Sequence, residues 1–346
     1  MVSDILIWFD KNKKLFPWRK NRSPYTVWIS EIMLQQTQAK TVEPYFKNWV
    51  KKYPNLNSLK RANINQLIKN WEGLGYYSRC QNIFKASRLV KEIPDNFEDL
   101  IKLPGIGDYT ASAILSIAYN KKYLSLDTNL IRVGARLLGI KNRSTNNIKR
   151  IKNFLENHQP EDRPGDYNEA MMDLGREVCK IKNPHCNICP LKQICKAQLS
   201  GNPAAYPQKA NPKKLKKVSA SVCCFVDKNQ KILIQKRENT GLLAGLWEFP
   251  GGKIESGETP KEAIIRELEE EIKVKNPPLE FCGKINHVYS SYRATIFVFI
   301  SKGSHQITIR KNNKKLQWVL RKNIINFAMP KANHKMIKLL DDYLGD

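Results

Sequence analysis

Hydrophobic and polar positions divide the chain into two parts with different periodicity. Up to about residue 198 apolar residues recur at helical spacing, as in Val27–Met33 of "TVWISEIMLQQTQAKTVEPYFKNWV", and no strand-like alternation is sustained. Beyond about residue 218, "SASVCCFVDKNQKILIQKR" predicts two strands around a polar turn and "YRATIFVFI" predicts another strand. "TPKEAIIRELEEEI" and "KANHKMIKLLDDYL" predict helices. We therefore expect a mostly α-helical first domain and an α+β second domain.

The segment between these two parts has the composition of a linker. Residues 199–217, "LSGNPAAYPQKANPKKLKK", contain three prolines, a glycine and a basic end. A length of 346 residues also exceeds what a single hydrophobic core usually serves. We predict domains at 1–198 and 218–346, joined by this basic linker.

The charge balance predicts a polyanionic partner. Lys and Arg number 59 against 32 Asp and Glu, a net charge of +27, which favours nucleic acid. The alternative is a compositional bias toward Lys, Asn and Ile that needs no ligand. No apolar run is long enough to span a bilayer, and the N-terminus lacks the features of a signal peptide. We expect no membrane partner and a cytoplasmic location, where thiols stay reduced.

Four of the eight cysteines lie within one loop. "CKIKNPHCNICPLKQIC" has the spacing C-x6-C-x2-C-x5-C, and four thiolates so placed can bind a zinc ion or a [4Fe–4S] cluster. Zinc usually uses two C-x2-C knuckles, and the single one here favours the [4Fe–4S] cluster. The remaining cysteines are interpreted as small buried side chains. The predicted cluster ligands are Cys179, Cys186, Cys189 and Cys195; the others are Cys80, Cys223, Cys224 and Cys282.

The stretch "LPGIGDYTA" has the features of a clamp for a phosphate. Gly105 and Gly107 permit a sharp turn and a close approach, and the helix that begins near Tyr109 offers unpaired N–H groups. An ordinary helix–turn–helix linker could look the same. Twenty residues after Gly107 stands Asp127, in a mainly apolar setting. Glu31 lies in an apolar helical stretch where burial would raise its pKa, although it could also be a first-turn glutamate.

Six motifs follow one another along residues 1–200: "PWR" (17–19), "WISEIMLQQTQ" (28–38), "WEGLGYYSR" (71–79), "LPGIGDYTA", "LDTN" and the cysteine loop. Their order and spacing resemble those of the adenine DNA glycosylase (MutY) family over almost all of residues 1–200. The resemblance implies a helix-hairpin-helix fold with a structural, DNA-facing [4Fe–4S] cluster. It implies removal of adenine mispaired with 8-oxoguanine or guanine from double-stranded DNA, after the base has been flipped out.

The resemblance also assigns roles to residues of this chain. Glu31 matches the acid that protonates adenine, Asp127 the carboxylate that stabilises the cationic sugar, and Asn129 the amide that orients the site. The remaining matches are Arg19 and Glu169 at the adenine pocket, Gln36 and Tyr76 as wedges beside the lesion, and Arg79, Gly105 and Gly107 as DNA-binding residues. As an alternative to the wedge role, Tyr76 and its neighbour Tyr77 could be aromatic residues of the core.

Tyr109 bears on whether the DNA strand is cut. The related endonuclease III type carries a lysine at this place, which forms a Schiff base with the sugar and permits strand cleavage. Tyrosine cannot form an imine, so we predict a monofunctional glycosylase; its phenol could instead hydrogen-bond a catalytic carboxylate. A glycosylase–lyase of the endonuclease III type is the alternative, and both Tyr109 and Glu31 count against it.

The second domain contains "GGKIESGETPKEAIIRELEEEIKV", which fits the signature of the MutT, or Nudix, proteins except at Lys273, where the pattern has glycine. The domain therefore resembles the MutT fold, and the resemblance implies that it reads 8-oxoguanine, as in adenine glycosylases. Glu267, Glu270 and Glu271 would share one helix face, where Mg²⁺ could relieve their repulsion. The alternatives are a solvated acidic face, or an additional Mg²⁺-dependent hydrolysis of oxidised nucleoside triphosphates.

One loop departs from the family pattern. Where the family reads Phe-Ser-His, this chain has Tyr289-Ser290-Ser291, so Ser290 keeps the central hydroxyl and the histidine is absent. We interpret Tyr289 and Ser290 as lesion-contacting residues and expect discrimination of 8-oxoguanine from guanine to be weaker or built differently. We expect a monomer, because a two-domain clamp around one duplex needs no dimer.

Overall fold

The computed structural model describes residues 1–208, 215–238, 243–289, 292–303 and 316–345. The chain forms two compact units. One, here called the helical unit, comprises Met1–Ala62 and Gln81–Asn211. The other, here called the C-terminal unit, comprises Asn63–Cys80 and Pro212–Asp346. A short internal segment of the sequence thus belongs to the same unit as the C-terminal part of the chain.

The first two hundred residues are mostly helical, as the apolar periodicity predicts. Helices begin where the sequence supplies caps. Ser23, which is followed by a proline at the first helical position, accepts the N–H of Thr26, and Ser144 accepts that of Asn147. The helices are α1 (Val2–Asn12), α2 (Pro17–Lys20), α3 (Pro24–Leu34), α4 (Ala39–Lys52), α5 (Leu56–Lys60), α6 (Ile64–Trp71), α7 (Ser78–Leu89), α8 (Phe97–Leu100), α9 (Asp108–Ile117), α10 (Thr128–Leu138), α11 (Thr145–Asn157), α12 (Pro164–Asp173) and α13 (Lys196–Leu199).

A core beneath α1, α10, α11 and α12 holds part of the helical unit together. Phe9, Leu130, Leu155 and Tyr167 are fully buried in it. Three of the four loop cysteines pack against this core from the side. The apolar face of the N-terminal helix therefore supports the same region that carries the cysteine loop.

In the part of the chain that the structure describes, the C-terminal unit contains a seven-stranded mixed sheet. Its main order is β3-β2-β1-β6-β5, with β4 beside β1 and β7 beside β2; β1 and β6 are parallel and the other pairs antiparallel. The predicted strands and the two predicted helices are confirmed. The elements are β1 (Lys216–Val226), β2 (Lys231–Lys236), β3 (Trp247–Glu248), β4 (Gly251–Lys253), α14 (Pro260–Ile272), β5 (Glu280–Val288), β6 (Tyr292–Lys302), β7 (Leu316–Leu320) and α15 (Lys331–Leu344).

Successive side chains of β1 point to opposite faces of the sheet, and a different helix covers each face. Cys224 belongs to the core under α15, together with Met336. Cys223 belongs to the core under α14, together with Leu268. The interpretation of Cys223, Cys224 and Cys80 as buried side chains is confirmed, and Cys282 is half-buried.

The ends of α14 show how this chain accommodates its departure from the Nudix pattern. Thr259 and Glu262 form a reciprocal capping box at the start of the helix. At the other end Lys273 takes the place of glycine, and its φ is +60°. Its backbone N–H donates to the carbonyl of Leu268, so the turn survives with a lysine in the left-handed conformation that favours glycine.

Replacing this lysine should stabilise the protein. We expect Lys273→Gly to raise the free energy of unfolding by about 1 kcal/mol, because glycine adopts a positive φ without a Cβ clash. Urea denaturation of the whole chain, followed by tryptophan fluorescence, measures the change. Lys275→Gly, which alters an exposed lysine paired with Glu269, is the matched control and should give no gain. An equal gain in both variants would contradict the explanation.

Candidate active site

Glu31 is a buried carboxyl near the end of α3. Its residue is 6% exposed, so it is not a first-turn glutamate at a solvated helix start. The pKa of Glu31 is raised to about 7, chiefly by burial and in smaller part by the neighbouring carboxylates of Glu169 and Asp127. Hydrogen bonding by Tyr109 and the charge of Arg19 act in the opposite direction. At neutral pH this side chain can therefore both hold and release a proton.

Tyr109 lies in the first turn of α9 and points at Glu31. Its hydroxyl donates to Glu31 Oε2 at 2.9 Å and lies 3.7 Å from the sulfur of Met172. Burial raises the pKa of Tyr109 well above its ordinary value, so the phenol stays protonated and remains a donor. The structure thus brings together two residues separated by 78 positions in the sequence.

Asp127 caps the N-terminus of α10. Its Oδ1 accepts the N–H of Leu130 at 2.7 Å, and its Oδ2 accepts the side-chain amide of Asn129 at 2.7 Å. Burial raises the pKa of Asp127, although these two hydrogen bonds act against the shift. The carboxylate is half-buried and fixed through both of its oxygens.

A buried arginine joins this carboxylate to the cysteine loop. Arg132 donates from Nη2 to Asn129 Oδ1 at 2.9 Å and from Nε to the carbonyl of Cys179 at 2.9 Å. It is 6% exposed and also contacts the carbonyl of Gly175. The sequence reasoning missed Arg132, although its position three residues after Asn129 on a helix was a usable signal.

An alternating network of charges holds the predicted adenine-pocket residues. Arg19 donates from Nε to Glu169 at 2.9 Å, and from Nη1 and Nη2 to the two oxygens of Asp173 at 2.7 and 3.0 Å. Arg22 contacts Glu169 as well and pairs with Asp166 at 2.7 Å. Asp173 was missed, although it follows Glu169 by four residues and shares its helix face. The guanidinium of Arg19 therefore orients two buried carboxylates.

An open cleft of about 560 Å³ lies beside Tyr109. It is lined by Asp108 and Ser112 of α9, by the segment before α10, and by side chains of α8 and α11. Leu126, the neighbour of Asp127, is among its lining residues. The cleft therefore adjoins Tyr109 and the segment that leads to Asp127, whereas Glu31 of α3 is not among its lining residues.

The glycines of the predicted clamp precede α9. Gly105 has a φ of +82°, and a Cβ added there would lie 2.8 Å from the Cβ of Asn82. Gly107 is the N-cap of α9, and a Cβ added there would meet open space. Only glycine suits position 105, and the backbone at 107 is open to a ligand.

Two exposed side chains stand on unusual backbone. Gln36 has a φ of +53° and Tyr76 a φ of +48°, and Tyr76 is 39% exposed. Its neighbour Tyr77 is 5% exposed, so only Tyr77 fits the reading as a core aromatic. Arg79 is 7% exposed and lies under the ring of Tyr76, 5.3 Å from its centre. Arg79 therefore supports Tyr76 from within the protein.

The four loop cysteines line a common cavity. Cys179, Cys186, Cys189 and Cys195 all line it. Arg136, which is 2% exposed, closes one side and donates to Cys179 Sγ at 3.1 Å and to the carbonyl of Lys180 at 2.7 Å. Across the part of the chain that the structure describes, no three metal-binding side chains are grouped to hold a single metal ion.

The signature glutamates of α14 are bound to neighbouring side chains. Arg266 donates to Glu267 at 3.1 Å and to Glu270 at 3.2 Å, besides a bidentate pair with Glu258. Glu271 accepts the side-chain amide of Gln235 at 2.8 Å. Burial raises the pKa of Glu267.

The predicted lesion-contacting loop is described only in part. The ring of Tyr289 stacks on Tyr292, with ring centres 4.6 Å apart, and meets His287 edge-on at 4.6 Å. Ser290 and Ser291 lie outside the described residues. Tyr289 is half-buried, and burial raises its pKa to about 12.

The chain matches two family models and many curated proteins. The model for the HhH-GPD superfamily of base excision DNA repair proteins matches residues 29–157, and that for the NUDIX domain matches residues 221–339. The adenine DNA glycosylase of Buchnera aphidicola (from Acyrthosiphon pisum) is 34% identical, over 96% of this chain and 95% of that protein. The human adenine DNA glycosylase is 30% identical, over 97% and 73%.

Solved structures agree on the fold of the helical part. A thermostable thymine-DNA glycosylase matches with a TM-score of 0.54 and 28% identity, over 57% of this chain and 95% of that one. An endonuclease III–DNA complex has a TM-score of 0.50 and 23% identity, which shows the fold alone. None of the helices in the described ranges is long and apolar enough to cross a membrane. Both predicted fold classes and the family resemblance are confirmed, and the chain belongs to the adenine DNA glycosylase family.

Proposed function

We propose that this chain hydrolyses the N-glycosidic bond of adenine mispaired with 8-oxoguanine or guanine in duplex DNA and leaves the strand intact. One observation carries the proposal: a buried Glu31, with a pKa raised to about 7, is hydrogen-bonded by Tyr109 beside Asp127. Family membership and the charge of +27 support DNA as the substrate. The protein then acts in the cytoplasm at the nucleoid, as a monomer.

Glu31 supplies the proton that makes adenine a leaving group. A carboxyl with a pKa near the working pH is well suited to donate a proton in the transition state and to recover it afterwards. Protonation of the base weakens the bond to the sugar, and the bonding electrons leave with adenine. Arg19 holds Glu169 and Asp173 in place at the back of the pocket, where Glu169 can face the flipped base.

Asp127 stabilises the sugar that adenine leaves behind. Loss of the base gives an oxocarbenium-like cation, and an ionised carboxylate next to it lowers the barrier. Asn129 and the N–H of Leu130 hold both oxygens of Asp127, so the carboxylate need not reorganise during the reaction. Water then adds to the sugar, and its proton is returned to a carboxylate of the site.

The same geometry argues for a monofunctional enzyme. A lyase step needs an amine that forms an imine with the opened sugar. The residue that approaches Glu31 from α9 is a tyrosine, which offers a hydroxyl in place of an amine. The abasic product would therefore stay joined to both flanking nucleotides.

The cysteine loop fits a [4Fe–4S] cluster. All four cysteines line one cavity, and their C-x6-C-x2-C-x5-C spacing favours a cluster in which each thiolate binds one iron. Arg136 supplies donors to Cys179 that suit a thiolate. When bound, the cluster would cross-link the loop from 179 to 195 and order its surface for DNA. We propose functional domains at 1–198 and 218–346, the second reading the base opposite adenine.

A first prediction concerns the products. With adenine opposite 8-oxoguanine in a labelled duplex, the wild-type chain should give strand breaks only after alkali treatment. Glu31→Gln should keep duplex binding and lose excision by roughly a hundredfold or more, since general acid catalysis contributes about that much. Breaks without alkali would require an amine elsewhere in the site. Full excision by Glu31→Gln would identify the wrong acid.

A second prediction uses the pH profile. Because Glu31 acts protonated, the single-turnover rate should fall as the pH rises through about 7. The hydrogen bond from Tyr109 lowers the pKa of Glu31, so Tyr109→Phe should raise that pKa and move the fall in rate to higher pH. A net hydrogen bond of about 0.5–1.5 kcal/mol corresponds to a move of roughly 0.4–1.1 pH units. If the fall in rate stays at the same pH in Tyr109→Phe, or moves to lower pH, the assignment of Glu31 as the acid is contradicted.

A third prediction tests the cluster. Cys189→Ser should remove the visible absorption of the iron–sulfur cluster and weaken duplex binding, because the loop loses one of its four cross-links. Cys282→Ser, at a half-buried cysteine of the C-terminal unit, is the control and should keep the absorption. Colourless wild-type protein that contains zinc and binds DNA normally would show that the loop holds zinc.

A further inference from the structure

The segment 63–80 carries Tyr76 and belongs to the C-terminal unit. After α6 the chain turns through Gly73, Gly75 and Tyr76, whose φ values are +94°, +79° and +48°. A tyrosine rarely adopts this conformation, so the surrounding contacts must hold it there. The exposed ring of Tyr76 is thus presented by a sharply folded loop.

The loop is held from below by buried side chains of its own segment. Trp71, which is fully buried, donates from Nε1 to the carbonyl of Gly75 at 3.0 Å. Arg79 donates to the same carbonyl at 3.1 Å, and its guanidinium lies 5.5 Å from the ring centre of Trp71 and 5.3 Å from that of Tyr76. These contacts fix the shape of the loop but do not fix its place in the unit.

Glu72 fixes the loop to the α+β part of the unit. Its Oε1 accepts the backbone N–H of Met329 at 2.9 Å and faces His334 Nε2 at 3.1 Å. Lys69 contacts the other oxygen of Glu72 and also donates to the carbonyl of Phe327 at 3.4 Å. These partners lie more than 250 residues away in the sequence.

The carboxylate of Glu72 is mostly buried and satisfies a donor in the core. Its side chain is 15% exposed, and Met329 is fully buried in the core beneath α15. A buried backbone N–H needs an acceptor, and the carboxylate provides a charged one. Burial alone would raise the pKa of Glu72, but hydrogen bonds from His334, Lys69 and Met329 outweigh it and lower the pKa. The carboxylate is therefore ionised and held by three partners.

We infer that Glu72 is a positioning residue that anchors the Tyr76 wedge to the C-terminal unit, so that the wedge and the part reading the opposite base act as one body. The inference rests on the proposed function for the role of Tyr76, and it adds a residue four positions before the wedge that does not touch DNA. Loss of this anchor should leave the chemistry of Glu31 and Asp127 intact and impair base flipping.

A double-mutant cycle on the full-length protein tests the inference. The variants are Glu72→Ala, Tyr76→Ala and the double variant, with Glu43→Ala as control because Glu43 pairs only with Lys47 among the ion pairs of α4. Base flipping is followed by the fluorescence of 2-aminopurine placed opposite 8-oxoguanine, and excision by single-turnover rates on adenine. Thermal unfolding monitors the integrity of each protein.

Glu72→Ala should reduce the flipping signal and the excision rate roughly tenfold, as expected when a positioning group is lost. Because Glu72 acts through Tyr76, adding Glu72→Ala to Tyr76→Ala should cost nothing more. Glu72→Gln keeps an acceptor for Met329 and should recover part of the loss. The inference would be overturned if the losses of the two single variants multiplied in the double variant. It would also be overturned if Glu72→Ala flipped the base as well as the wild type does.

Two further readouts separate this outcome from other failures. His334→Ala removes one partner of Glu72 on α15 and should reduce flipping and excision less than Glu72→Ala does. This reduction should also vanish in the Tyr76→Ala background. The His334→Ala variant replaces Glu72→Ala in the test if Glu72→Ala does not fold. Amide hydrogen exchange of residues 73–77 in the free protein should quicken in Glu72→Ala, and unchanged exchange would count against the anchor. That measurement needs no DNA, whereas absent excision by the wild type would refute the proposed function alone.

Discussion

The hydrogen bond between Tyr109 and Glu31 is the contact on which the active site depends. It joins the start of α9 to the end of α3. The bond lowers the pKa of Glu31, whereas burial raises it. Without burial the carboxyl would be ionised at neutral pH and useless as an acid; without the hydroxyl its pKa would rise further. In the proposed mechanism the tyrosine has two effects: it lowers the pKa of the acid, and it places a hydroxyl beside that acid in place of an amine.

The charged groups around this pair are kept in position by two arginines. Arg19 binds two carboxylates at once, and Arg132 connects Asn129 with the carbonyl of Cys179. Buried charges of this kind tolerate little change, because removal of one partner leaves the other uncompensated. A single path of hydrogen bonds from Asp127 through Asn129 and Arg132 reaches the cysteine loop. Order in that loop is therefore linked to the geometry of the Asp127 carboxylate.

Local sequence patterns predicted the elements and the chemical groups, but not the contacts between them. The helix that carries Glu31 and the strands of the sheet follow from periodicity, since each depends on neighbours within a few residues. The identity of Tyr109 indicated its chemistry, while its distance to Glu31 depends on how two helices pack. The grouping of residues 63–80 with the C-terminal unit rests on hydrogen bonds across some 250 positions, and no pattern inside the segment reveals it.

The central claim is that Glu31 is a carboxyl poised to give up a proton at neutral pH. The most direct measurement is the titration of its side-chain carbon by NMR in protein labelled at glutamate Cδ, with Glu31→Gln identifying the resonance. The account predicts a midpoint near pH 7. A midpoint near the ordinary glutamate value of about 4.3 would contradict it, because the acid would then already be ionised when adenine arrives.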